Sequence, residues 1–249
     1  LEYDVLIQVA YSDVNPVDLQ KLSANKPPGT PIPQLTANSV FVPGYGGSGT
    51  ILEIGSQVPA HWKGKQACFL ADPTRPGSYA THVVVDYRCV ALLPSSGSIT
   101  LQEAAAIPIA GLTALEALVK VGFMTESRIQ EGKMETTVGR SSKILPSITS
   151  TITTNSVMSP STTTSKTLLI IGGAGGVGSW IITLARACHP HCKIIATAST
   201  TEQQTWCQSK LGANQVLQHD QLRDQLSGGP QGSVDAIICL AEPTPVLFG

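Results

Sequence analysis

The chain has 249 residues, 42% hydrophobic and 13% charged, with a formal net charge of −1. That describes a globular chain with room for two modest domains. The near-neutral balance and the lack of a basic run leave no electrostatic case for nucleic acid or an anionic membrane as partner.

The first residue is Leu, and LEYDVLIQVAY reads as a strand already under way. A start is therefore expected to be missing, and the lack of a targeting peptide carries no weight. Over residues 1–120, short apolar runs recur at Val5–Val9, Gly49–Ile54, Gln66–Leu70, Ala80–Val85 and Cys89–Leu93. Frequent turn residues between them predict a mainly antiparallel β domain. The segment Thr100–Val121 breaks that pattern. Its helix formers, interrupted by Pro108 and Gly111, predict two helices around a Pro-Ile-Ala-Gly turn. Residues 121–166 hold the Ser/Thr-rich stretch SITSTITTNSVMSPSTTTSK, which has no sustained periodicity. They are expected to form a disordered insertion or to reflect a gene-model artefact.

From Thr167 strand and helix alternate. Strands are predicted at Thr167–Ile171, Lys193–Ala198, Gln215–Gln218 and Ala236–Leu240, with a helix over Glu202–Leu211 that stops at Gly212. Between the first two strands, Gly173, Gly175 and Gly178 stand in G-x-G-x-x-G register. A helix then starts near Val177 and turns Trp180, Ile181, Leu184 and Ala185 toward the sheet. Strand, glycine turn, helix and strand together make a dinucleotide-binding βαβ unit. Gly173 lets the chain leave the strand tightly, Gly175 lets backbone approach a pyrophosphate, and Gly178 lets the helix pack on the sheet. Gly176 and Val177 join these three in lining the pyrophosphate, where helix N–H groups favour anions.

The second strand ends Ala196-Thr197-Ala198-Ser199-Thr200, with no acid at its tip; Glu202 lies inside the next helix. An acid there would bind the ribose hydroxyls of NAD. Small hydroxyl residues at Ser199 and Thr200 leave room for a 2′-phosphate, which favours NADP (NADPH). No Arg or Lys lies beside Ser199, and Lys210 is the nearest candidate. The same two residues can also cap the next helix. Only four strands are read where such a sheet usually has six, so the domain over 167–249 is expected to be incomplete.

The six cysteines form no Cys-x-x-Cys pair. They suit small buried hydrophobes in a reducing, cytoplasmic setting. Cys188-His189-Pro190-His191-Cys192 offers four ligand-type side chains in five residues. So short a segment cannot wrap all four around one tetrahedral ion, and no metal site is expected there.

Four motifs in order carry a family resemblance: VNPVD (Val14–Asp18); PGYGGSGTILEIGSQV (Pro43–Val58); RPGSYATHVVVD (Arg75–Asp86) followed by AAAIPIAGLTALEAL (Ala104–Leu118); and LLIIGGAGGVGSWIITLAR with KIIATAS and KLGANQVLQH. The series resembles the medium-chain dehydrogenase/reductase superfamily. It looks most like the zinc-free quinone oxidoreductase-like branch, whose members are often labelled zinc-type alcohol dehydrogenase-like. The resemblance implies an α/β chain. A GroES-like, mainly antiparallel β catalytic domain (1–120) is followed by a Rossmann doubly wound parallel sheet (167–249).

Where zinc-dependent relatives carry ligands, this chain has Asn15, Tyr45 with Gly46, and Ala110. Those residues cannot build an N/S zinc site, so no bound metal is expected. The resemblance then implies hydride transfer from NADPH to an enone or quinone, with a small molecule as the only partner besides cofactor. Asn15, Asp18 and Tyr45 match the substrate end of the cleft, and Thr113 matches a residue approaching the nicotinamide. Tyr45 is the candidate hydrogen-bond or proton donor, or else a packed wall residue. Asn15 can instead fix the turn before Pro16, and Asp18 can cap a helix starting near Leu19. An enoyl-thioester reductase and a non-catalytic cofactor-binding relative remain as alternatives. A homodimer stays open for the full-length protein, since the family's dimer edge lies in its C-terminal part.

Overall fold

Alternating burial builds the first sheet. In the computed structural model, which describes residues 2–22, 42–124, 166–220, 222 and 234–240, β1 (Asp4–Ser12) buries Val5 and Ile7 completely while Gln8 stays exposed. Helix α1 (Pro16–Leu22) follows. Strands β2 (Gly46–Ile54), β3 (Gln66–Leu70), β4 (His82–Asp86) and β5 (Val90–Leu92) then complete a five-stranded sheet in the order β4-β1-β2-β3-β5. Every pairing in it is antiparallel. Its core gathers Val5, Ile7, Ile51, Val58, Ala67, Phe69, Val83 and Val85. A two-pronged ion pair ties β1 to the loop before β4: Arg75 donates from both terminal nitrogens to Asp4, each at 3.0 Å. This is the expected antiparallel β domain.

Helix α2 (Leu101–Ala105) opens with a capping box, Thr100 and Glu103 each bonding the other's backbone N–H. Helix α3 (Pro108–Lys120) follows at once. Pro108 separates the two helices by occupying the first position of the second, where its missing N–H costs nothing. Gly111, expected to interrupt, lies inside α3. The chain divides into units Leu1–Leu112 and Thr113–Gly249, so the division falls within α3. Disorder was expected from residue 121, but Val121–Met124 are described, and Phe123 and Met124 are buried with the second core. Residues 125–165 of that expected insertion lie outside the described residues.

The second sheet is parallel. Strands β6 (Thr167–Ile171), β7 (Lys193–Thr197), β8 (Gln215–Leu217) and β9 (Ala236–Cys239) stand in the order β8-β7-β6-β9. Helix α4 (Gly176–Cys188) crosses from β6 to β7, and α5 (Thr201–Ser209) from β7 to β8. A chain that moves from β6 out to β8 and then returns to β6's other side is doubly wound, and its switch point lies at β6. Both faces are covered, so β6 has no polar face. Leu168 and Ile170 pack with Ile181, Ile182 and Ala185 of α4, whereas Leu169 and Ile171 pack with Ile195, Leu217 and Leu222. Trp180, expected on α4's inner face, is only partly buried there, and Ile182 is the fully buried residue the periodicity missed. Among the described residues no helix is long and apolar enough to cross a membrane.

Candidate dinucleotide and substrate sites

The glycine turn connects β6 to α4. Its left-handed residue is Gly172, at φ +90°, one position before the fingerprint. This corrects the assignment of the tight turn to Gly173: Gly172 makes the turn, since a Cβ there is strained. Gly173 is glycine for packing, because an added Cβ would stand 2.7 Å from the Ala196 Cβ. Gly178 is held still more tightly. Its Cβ would meet the Gly172 carbonyl oxygen at 2.3 Å and the Gly173 Cα at 2.8 Å, so α4 sits directly on the turn.

Gly175 differs from both. Its backbone is extended (φ −72°, ψ 168°), a conformation open to any residue. A Cβ added there would find only the Gly172 oxygen, at an ordinary 3.5 Å. It is exposed, it is the N-cap of α4, and no side chain caps that helix. Gly176 beside it is exposed and Val177 is half-buried. Among the described residues nothing requires glycine at 175. The cradle a Cβ would fill therefore fits a group from outside, and a helix N-terminus without a side-chain cap suits a phosphate.

Ser199 and Thr200 leave β7 beside this turn. Thr200 caps α5: its hydroxyl accepts from Gln203 N–H at 3.3 Å, and the Gln203 side chain accepts from Thr200 N–H at 3.3 Å and Ser199 N–H at 3.2 Å. The capping reading thus holds for Thr200, while Ser199 stays exposed at the strand end. Thr113 stands exposed on α3, inside a helix rather than in a turn.

In the first unit the expected trio comes together. Asp18 is 1% exposed and lies in the first turn of α1, since that helix starts at Pro16, not near Leu19. Its carboxylate reaches back to accept the Asn15 N–H at 2.8 Å, the reciprocal half of a capping box. The same oxygen accepts from the Tyr79 hydroxyl at 3.1 Å. Tyr45 and Asp18 line one small cavity together with Gly44, Asp72 and Arg75, with room for about one water. Three buried polar atoms lack a hydrogen-bond partner among the described residues: Asp13 Oδ1, Asn15 Nδ2 and Asp18 Oδ1. Such orphans are costly unless something fills them.

The local charges follow. Burial pushes the Asp13 carboxyl up, the Asn15 side-chain amide beside it offsets part of that, and the neighbouring charge of Asp18 adds to the rise. Burial also raises the Tyr45 hydroxyl, again with help from Asp18. Tyr79 is pushed up to about 12, first by burial and then by its bond to Asp18. Both tyrosines therefore stay neutral donors at ordinary pH.

The ligand-type residues of the 188–192 segment have other occupations. His189 bonds the Phe123 carbonyl edge-on to that ring, and the buried Cys192 thiol points at the Ala185 carbonyl at 3.9 Å. Among the described residues no three His, Cys, Asp or Glu side chains converge as a metal would need. Sequence reading missed Gly172, Thr197, Asp13 and Tyr79. Tyr79 lay within the RPGSYATHVVVD motif, but only the fold shows that it faces Asp18.

Residues 2–95 match the alcohol dehydrogenase GroES-like domain. The chain is 31% identical over 206 residues to 2-methylene-furan-3-one reductase of Solanum lycopersicum, covering 80% of this chain and 41% of that protein. It is 30% identical over 237 residues to a zinc-type alcohol dehydrogenase-like protein of Staphylococcus aureus, covering 95% of this chain and 57% of the relative. It thus spans about half the length of these relatives. A quinone oxidoreductase of Coxiella burnetii superposes with a TM-score of 0.67 at 25% identity, over 95% of this chain and 59% of that one. The matched domain, the relatives and the superposition support the medium-chain dehydrogenase/reductase superfamily, in its quinone oxidoreductase-like branch.

Proposed function

We propose that the protein serves as an NADPH-dependent oxidoreductase that delivers hydride to an enone or quinone without zinc. The observation that carries this reading is Gly175, whose missing Cβ leaves space the fold itself does not use. Gly175, Gly176 and Val177 would hold the pyrophosphate by their backbone, with Gly173 and Gly178 keeping turn and helix in contact. The exposed Ser199 would lie at the 2′ position of the adenosine ribose. Thr200 would contribute only the proton that its capping bond leaves unused. Bound there, the dinucleotide supplies the hydride, a chemistry no side chain provides.

The first unit would receive the substrate. Tyr45, a neutral hydroxyl, would donate to the carbonyl oxygen as charge develops on it. The Asn15 side-chain amide, beside the Asp13 carboxylate, offers a second donor. Asp18 would orient both through Asn15 N–H and the shared cavity. By the family resemblance, Asn15, Tyr45 and Ala110 take the positions of the zinc ligands in zinc-dependent relatives, and this donor set does not suit zinc. Likeness to a 2-methylene-furan-3-one reductase and to a quinone oxidoreductase supports an enone or quinone acceptor. In domain terms we assign substrate to 1–120, the dinucleotide to 167–249, and an insertion to the segment between.

The test is turnover of NADPH against a panel of quinones and enones, with metal analysis of the same protein. Oxidation of NADPH by at least one acceptor, with substoichiometric zinc, supports the proposal. Binding without turnover would favour a non-catalytic relative, and stoichiometric zinc would overturn the metal-free mechanism.

A further inference from the structure

Thr197, the last residue of β7, is completely buried, yet no sequence signal marks it and the function described above does not use it. Its backbone carbonyl accepts the Gly173 N–H at 2.9 Å, and its hydroxyl oxygen accepts the Gly172 N–H at 3.0 Å. One residue of β7 therefore takes both N–H groups at the start of the glycine turn. The same hydroxyl lies 3.0 Å from His219 Nε2, just past β8. With the Gly172 N–H already received, the hydroxyl keeps its own proton and a second lone pair, so it pairs with His219 as donor or acceptor according to the ring's tautomer. The ends of β6, β7 and β8 are thus joined by one chain of hydrogen bonds, Gly172 to Thr197 to His219. The backbone follows the same line, as Ala198 N–H bonds the Leu217 carbonyl at 3.0 Å.

We propose that Thr197, oriented by His219, is a positioning residue for dinucleotide binding. Gly172 is held left-handed at φ +90° by its bond to the Thr197 hydroxyl. Releasing that N–H lets the turn rotate and moves the Gly175–Val177 N–H groups away from where a pyrophosphate needs them. Binding groups need supports that hold them to about 0.5 Å. The inference rests on the dinucleotide reading above.

The experiment measures the Kd of NADPH by fluorescence titration, and the melting temperature without NADPH, for the whole chain and for T197V, T197S, H219F and T197V/H219F. Valine keeps the shape and loses the hydroxyl; serine keeps the hydroxyl. T197V should raise Kd about tenfold and T197S should stay within about twofold of the parent, a difference expected of one hydrogen bond. H219F should raise Kd several-fold, and the double variant should be no worse than T197V, because both act through one hydroxyl. A purely structural role would lower the melting temperature of T197V and leave its Kd unchanged, which overturns the proposal. Additive losses in the double variant would show that His219 acts on its own, and would also overturn it. Should T197V fail to fold, H219F decides: a raised Kd supports the positioning role and an unchanged Kd overturns it. A parent chain that binds neither NADPH nor NADH sinks the cofactor reading and this inference together.

Discussion

Gly178 and Gly175 look alike in a sequence motif and differ in what surrounds them. A Cβ at Gly178 would press on the Gly172 carbonyl at 2.3 Å, whereas one at Gly175 meets nothing closer than 3.5 Å. We therefore expect G178A to lose about 1–3 kcal/mol of stability by overpacking. G175A should lose less than about 1 kcal/mol while weakening dinucleotide binding. Denaturant melts and titrations on the two variants check this. Asp13 gives a second test. Burial raises its carboxyl above the unfolded value, so its ionisation opposes folding as pH rises through the folded-state value. D13N should raise the melting temperature at pH 7, and the gain should shrink as the pH falls into the acidic range where Asp13 is protonated in both states. Gly173 and Gly178 were legible because their close packing leaves no room for a Cβ. Gly172, Thr197 and Tyr79 were not, because their roles come from partners 22 to 66 residues away.

Strands and helices were read largely as they stand, since burial on one or both faces writes itself into apolar spacing. β6 and β3 match residue for residue what the pattern predicted. Gly111 was misread as a break because propensity is a weak prior once a helix can pack. What the pattern does not show is how elements are fastened together. Arg186 near the end of α4 donates to the carbonyls of Pro190 (2.7 Å), Cys192 (3.0 Å) and Gly212 (2.9 Å), and to the Asn214 side chain (2.6 Å). That oxygen of Asn214 also accepts the Ile194 N–H at 2.7 Å, so one guanidinium pins α4, the start of β7 and the loop before β8. R186L should cost about 2–4 kcal/mol by leaving these acceptors unpaired, and R186K should recover only part, because an ammonium lacks the planar fork. Urea unfolding of both variants is the measurement.

Two units of different construction share this chain, an antiparallel sheet over Leu1–Leu112 and a parallel one in Thr113–Gly249. The change from short apolar runs to alternating strand and helix made that division legible; the Ser/Thr-rich segment between them hid where α3 belongs. A ligand that binds the folded state alone stabilises it by about 2.7 kcal/mol at a hundred times its Kd. Hydrogen exchange should therefore slow on NADPH addition, most of all at β6, β7 and the start of α4. The most direct measurement is the fluorescence titration of the whole protein with NADPH and NADH after treatment with a metal chelator. We expect saturable binding of both, tighter for NADPH, with no loss on chelation. No saturable change with either nucleotide would contradict the dinucleotide site, and binding that disappears with the chelator would contradict its independence of metal.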